Sequence, residues 1–598
     1  MNFLTSLVLT VATLFQAATT PVVPTPTTWY IRADGGTRAQ CTGTTDAAYP
    51  GTGTAQPCGF NDYRLLAFPG PGGYVTVGTW LVKGGDTIRI HAGQYRLGYN
   101  GPNANDHDGL DIAGNPFASA MPPIPSGTAA NPTKIIGDGS ATTQLYGGYG
   151  AGNVISLSGS SFVEISGLEL TDHAQCTRVG GGYTAPVVGC SSSTPLDDYA
   201  AVGIYTNVGT SDVTLTDLNI HGFTSDGIRG PVGGLITVDH VRIAFNGDAG
   251  WDFDDGSGTK SVNGSITASY LTIEGSGCNE EYPIAHTEFP AFSCFDQSSA
   301  GYGDGVGTPA TPLNFTCDHC TFAYNTQDGL DLLHTSGSIV RVTNSTSYGN
   351  MGQQWKLGPM AVVDFEHDTW VHNCKRMAFP IAGNSTYNKY LSNFCRAAGD
   401  GFAMAISDAS QITIANNSYA GYGNTTYDLS CGGTCTKPVI TFQNNLHIGY
   451  TAPASIGGQK PAVFYYSMTY TTPFVANDHN IDFNMRTLPT GGVGTDPAIA
   501  DEPTDAQVAA DETVLDSIDF TPTLASTNAI GQGVGGVDIG AIPYIATTGS
   551  TTTTPPPDGT GTTPPPATTT TALPASIKLT LPTLNCTLSG TTYSCGID

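Results

Sequence analysis

The chain has 598 residues, of which 76 are glycine; 39% are hydrophobic, 12% are charged, and the formal net charge is −28. That length exceeds what one ordinary core needs, so several domains or a repeat architecture is expected, and the apolar content is too high for a disordered chain. The charge excludes a nucleic-acid partner, which needs clustered Lys and Arg, and any acidic glycan must be met by local cations working against the global field.

Residues 3–16 are mostly apolar and uncharged, and Ala17 and Ala18 follow. The stretch is too short to span a membrane, and no other segment spans one, so 1–18 reads as a signal peptide. A Pro/Thr-rich spacer covers 19–28. Residues 61–68 read as a short helix capping the open end of a solenoid, and 85–95 as a first coil. Then a strand pattern recurs, first as Val163-Glu-Ile-Ser-Gly-Leu-Glu-Leu170, with later copies starting at Val213, Ile236, Ile266, Phe315, Val340, Val363, Asn388, Ile412 and Ile440. From Phe315 to Ile412 the starts are 25, 23, 25 and 24 residues apart; steps of 49 or 50 occur twice, as two coils or one coil with an insertion would give.

A period near 24 with strands and no helix is the mark of stacked β-coils. The fold expected for 29–546 is therefore all-β, a right-handed parallel β-helix, with positions one and three of each repeat inward. Residues 537–541 resemble the closing segment of pectate-lyase-like β-helices. A Thr/Pro-rich linker follows at 547–572, then a small tail at 573–598 with Cys586 and Cys595. The 14 cysteines fall mostly in near pairs, which points to local disulfides, an oxidising compartment and a secreted or cell-surface protein; a monomer is expected. Cys317 and Cys320 have no second pair to complete a zinc site, so core packing or a disulfide is expected there.

Coils stack at about 4.8 Å, so equal positions in successive repeats form columns. Counted from the repeat starts, position seventeen reads Arg229, Asp252, Asp331, Lys356 and Phe379, and position fourteen reads Asp226, Ala249, Asp328, Gln353 and Arg376. The coil from Ile266 carries an insertion with Cys278 and Cys294; resuming it at Gly303 aligns Asp304 with Asp328. Three carboxylates on two coils repel one another unless a cation joins them, and oxygen ligands select Ca²⁺. Asn325, Gln327 or a backbone carbonyl would complete the shell. Asp-Gly dipeptides are also ordinary turn formers, as Asp226 and Asp400 illustrate.

Gln327-Asp328-Gly329-Leu330-Asp331-Leu332, followed one coil later by Trp355-Lys356-Leu357-Gly358, resembles polysaccharide lyase family nine, whose members are β-helical pectate and related lyases. The family carries an Asp-Asp-Gly-x-Asp calcium motif and a Phe-Lys-Leu-Gly motif holding the catalytic base. The resemblance covers roughly residues 300–360 and implies calcium ligands at Asp304, Asp328 and Asp331, with Lys356 as the base. Gln327 stands where the family has an aspartate, which predicts weaker calcium binding.

The expected activity is calcium-dependent β-elimination on an acidic, pectin-like polysaccharide, with Lys375 and Arg376 holding substrate carboxylates and an alkaline optimum set by the lysine. The alternatives are a non-catalytic glycan-binding or adhesion β-helix, in which Lys356 is an ion-pair partner of Asp331, and a hydrolase using the acids at Asp252 and Asp254. Trp251 is a candidate for stacking on sugar rings, whereas Trp355 is expected in the core.

Overall fold

In the computed structural model, the described residues are 25–68, 79–97, 121–148, 151–174, 199–254, 264–280, 282, 293–294, 303–307, 312–373, 400–431, 435–452, 459–466, 474–489, 493–544, 584–589 and 592–597. The leader at 1–18, the linker at 547–572, Phe379, Lys375 and Arg376 lie outside them. The chain divides into two units, Met1–Tyr544 and Ile545–Asp598. In the second, Leu584–Ser589 pairs antiparallel with Thr592–Ile597, with Cys586 opposite Cys595.

The first unit is a right-handed parallel β-helix. Its strands join one parallel sheet of 21 and another of 10. Alternation explains why the coils stack: Val213, Leu215, Ile236, Val238, Phe315, Cys317, Val340, Val342, Val363, Phe365, Ile412 and Ile414 all face inward and are buried, so each coil covers the open edge of the last. From Val163 onward, the residue at the corner of each coil has positive φ. The column runs Gly167, Asp217, His240, Tyr270, His319, Asn344, His367, Asn416, Asn444 and His479, with φ between 49° and 67°. That conformation costs least for Gly, Asn, Asp and His, which fill nine of these ten places.

Buried asparagines satisfy the inner turns. The side-chain oxygens of Asn417, Asn445 and Asn480 each accept from a backbone N–H of the preceding coil, at 2.8, 3.1 and 2.9 Å. Fully buried Trp355, Phe402 and Tyr427 stack in register through the interior. Cys41–Cys58, Cys317–Cys320 and Cys431–Cys435 are disulfides, and no described cysteine is free. No helix among the described residues is long and apolar enough to cross a membrane.

Three expectations need correction. Val363 pairs directly with Ile412, so the two starts lie on neighbouring coils; Asn388, expected to start a coil between them, lies outside the described residues. Val163 and Val213 likewise lie on neighbouring coils, as do Ile266 and Phe315. Residues 61–68 form only a 3-10 turn at Tyr63–Leu66, capped by the Asp62 carboxylate, before the chain extends again. A coil also precedes residue 85, because Thr28–Gly36 pairs parallel with Thr87–Ile90. The closing segment folds back on the last coils, with Gly540 N–H donating to the Asn444 carbonyl at 2.8 Å.

Candidate metal and active site

The ten-stranded sheet carries the site. Its residues pair coil to coil in one outward row, Tyr205–Arg229–Asp252–Gly307–Asp331–Lys356–Ala403–Asp428. The short strands Leu330–Leu332 and Trp355–Leu357 place Asp331 and Lys356 side by side, because their neighbours on either side are apolar and turn inward. Trp251 and Trp355 are both fully buried, so Trp251 cannot stack on a sugar.

The glycines of the Asp-Gly pairs have a packing cause. A Cβ on Gly305 would lie 2.3 Å from the Gly329 carbonyl oxygen, and one on Gly329 would lie 2.6 Å from that of Gln354. Coil stacking therefore dictates the glycines, while the aspartates before them are a separate choice.

Asp304, Asp328 and Asp331 converge, each offering an oxygen within 4.8 Å of the others. Oxygens bound to one Ca²⁺ at about 2.3–2.6 Å stand at most roughly 5 Å apart, so a single ion reaches all three. Among the described residues this is the group of three such ligands that the fold brings together. The three are 5%, 0% and 8% exposed. Backbone N–H groups aim the carboxylates: Asp328 N–H donates to Asp304 Oδ1 at 2.9 Å, Gln353 N–H to Asp328 Oδ1 at 2.6 Å, and Leu333 N–H to Asp331 Oδ1 at 2.8 Å.

Lys356 Nζ donates to Asp328 Oδ2 at 2.8 Å and to Asp331 Oδ2 at 2.6 Å. Burial alone would lower the lysine's pKa, but the two carboxylates outweigh it and hold the ammonium well above its ordinary value. The described neighbours of Lys356 thus oppose its neutral form. One ammonium does not balance three buried acids. Burial first, then Asp328 and Asp331, drives the Asp304 carboxyl well above the usual aspartate range, and burial and Asp328 raise Asp331. A divalent cation would supply the missing charge.

Two observations bear on the rest of the shell. Gln327 Oε1 is a buried oxygen with no hydrogen-bond partner, a neutral donor of the kind Ca²⁺ takes. Asn325 is unsuited: its Oδ1 accepts from Ser276 N–H at 3.0 Å and its amide donates to Asn350 Oδ1 at 2.8 Å, inside the core. The donor set present fits a calcium ion.

The rows also correct the expected columns. After Lys356 the next residue is Ala403, not Phe379, and after Gln353 the chain returns at Asp400, because Gln354 N–H donates to the Gly401 carbonyl at 2.8 Å. Arg376 therefore does not follow Gln353. Asp400 was read from the sequence only as a turn former and Asp428 was not singled out, although Asp400-Gly401-Phe402-Ala403-Met404 repeats the Asp-Gly-apolar-x-apolar pattern of Asp328-Gly329-Leu330-Asp331-Leu332. At the other end of the row, Arg229 lies 3.5 Å from Asp226 and donates to the Asp254 carbonyl at 3.2 Å. Burial and then Asp226 push Asp252 up to about 8.

No family model matches the chain, and no curated protein matches it. Among solved structures, it is similar to pectate lyase Pel9A, with 14% identity, 87% of this chain and 96% of that one covered, and a TM-score of 0.38. A rhamnogalacturonan lyase gives 12% identity, coverage of 83% and 97%, and 0.35. The A-module of the Azotobacter vinelandii mannuronan C-5 epimerase AlgE4 gives 12% identity, coverage of 69% and 91%, and 0.26. At these values the likenesses do not bear on activity; the β-helix rests on the strand register.

Proposed function

We propose that this protein is a secreted, calcium-dependent polysaccharide lyase that cleaves an acidic, uronate-containing glycan by β-elimination. The observation that carries the reading is the adjacency of the Asp304, Asp328 and Asp331 oxygens to Lys356 on one outward row. The residue pattern resembling polysaccharide lyase family nine falls on those same positions.

Asp304, Asp328 and Asp331, with Gln327 as neutral donor, would hold the calcium. A calcium ion held there would supply charge neutralisation of a substrate carboxylate, which makes the neighbouring C–H more acidic. Lys356, in its unprotonated form, takes the C5 proton. The electron pair released forms the C4–C5 double bond, and the C4–oxygen bond breaks. Lys375 and Arg376 are proposed to hold further carboxylates.

The double ion pair of Lys356 favours a second reading, a non-catalytic glycan-binding β-helix in which the lysine only balances charge. A screen of uronate polymers, with calcium and with chelator, separates the two. Calcium-dependent ultraviolet absorbance from an unsaturated product supports the lyase. Binding without absorbance on every polymer supports the second reading.

A further inference from the structure

We propose that Asp428 is the general acid of this elimination, protonating the oxygen of the departing sugar. The proposal rests on the lyase reading above and adds a catalytic residue to it.

The order of groups along the row is the first reason. From Asp331 the row runs to Lys356, then Ala403, then Asp428, each paired in register with the next. A uronate undergoing β-elimination presents its reacting groups in a matching order: the carboxylate, then the proton on C5, then the leaving oxygen on C4. Lys356 and Asp428 stand two coils apart, roughly 10 Å between backbones. Only the Ala403 methyl lies between them in the row. Paired carboxyl groups that bracket a sugar with a further group between them work at about 6.5–9.5 Å, a span that side chains on such backbones reach.

The second reason is the setting of Asp428 itself. It is partly exposed between buried Tyr427 and Leu429, so it belongs to the outer face. Its Oδ1 is buried with no hydrogen-bond partner, and no described cation pairs with it, so nothing stabilises the ionised form. Asp400, on the preceding coil, is its charged neighbour, and Asp400 Oδ1 is fixed by the Thr425 hydroxyl at 2.6 Å. Burial, then Asp400, pushes Asp428 up to about 6. An acid poised there keeps a usable proton near neutral pH.

The step balances. Lys356 accepts the C5 proton, and the C–H pair becomes the C4–C5 double bond. The C4–oxygen pair leaves with the oxygen, and the Asp428 carboxyl gives that oxygen a proton. One proton leaves the sugar and one returns, with no change of oxidation state overall and no co-reactant; solvent takes the proton from Lys356 and returns one to Asp428.

The test compares the wild type with Asp428→Asn on two substrates, a uronate polymer and a short uronide whose C4 substituent is an aryl oxide that departs without protonation. Asp428→Asn should lose about 100-fold or more on the polymer and stay within a few-fold of wild type on the aryl uronide. Equal loss on both would make Asp428 structural and overturn the proposal, as would an unimpaired polymer rate. A wild type that yields no unsaturated product from either substrate overturns the lyase reading, and this step with it. Asp400→Asn gives an independent check if Asp428→Asn fails to fold by circular dichroism. Removing the Asp400 charge lowers the Asp428 pKa, so the pH above which the rate stops rising should move lower. A break that stays at the same pH, or a wild-type rate that only climbs into the alkaline range as a lone lysine base gives, overturns the proposal.

Discussion

At the scale of single residues, the site depends on a glycine that binds nothing. A Cβ on Gly352 would sit 1.9 Å from Asp328 Oδ1 and 2.9 Å from the Gln327 backbone. Gly352→Ala should therefore displace the Asp328 carboxylate while leaving every proposed ligand in the sequence. Calorimetric titration should show calcium affinity reduced by about tenfold or more, close to the loss from Asp328→Ala, since affinity follows the number and charge of the oxygens that reach the ion. Both variants should keep the β spectrum of the parent, because neither removes an apolar contact from the core. Unchanged affinity in both would remove Asp328 from the ligand set. The three aspartates were legible from spacing, because stacked coils turn equal sequence positions into neighbours. The engagement of Asn325 was not: a side chain's choice between a core ladder and a surface ion is not written in its spacing.

At the scale of elements, one coil with a loop and two coils have the same length. Turns of a solenoid tolerate long insertions at small entropic cost, so the 49-residue step from Val363 to Ile412 can divide at Asn388 and still look periodic. That division moved the following column and left Asp400 and Asp428 out of the site. The insertion after Ile273 has an anchor of its own. His221 is buried between Glu280, which meets its Nδ1, and Glu169, 2.9 Å from its Nε2. Tyr282 stacks on His173, which stacks in turn on Tyr146, at 3.7 Å each. Burial alone would lower the His221 pKa, but the two carboxylates win and raise it from 6.5 to about 9. A raised pKa stabilises the fold fully below about pH 6.5 and loses that contribution as pH rises through about 9, on the order of 3 kcal/mol in all. Thermal melts should therefore fall from pH 7 to pH 10, and Glu280→Gln should lower the melting temperature at pH 7 while flattening the fall. A wild-type melting temperature flat across that range would show that the imidazolium is not part of the anchor.

At the scale of the whole molecule, the fold was legible and the electrostatics were only partly so. A period of strands and turns specifies a solenoid whatever its loops do, and the position-one and position-three residues are buried as alternation requires. The net charge of −28 sets a different problem. A polyuronate approaches against that field. Monovalent salt raised from about 10 to about 150 mM shortens the Debye length from about 30 to about 8 Å. At saturating calcium, kcat/KM on a polyuronate should then rise, whereas a substrate drawn in by long-range attraction would show a fall. The central claim is tested most directly by following the ultraviolet absorbance of the unsaturated product from a uronate polymer with the wild type and Lys356→Arg. Calcium-dependent product from the wild type is expected, with none from a folded Lys356→Arg that still binds calcium, because a guanidinium keeps its proton. Product formed by Lys356→Arg at the wild-type rate would contradict the account.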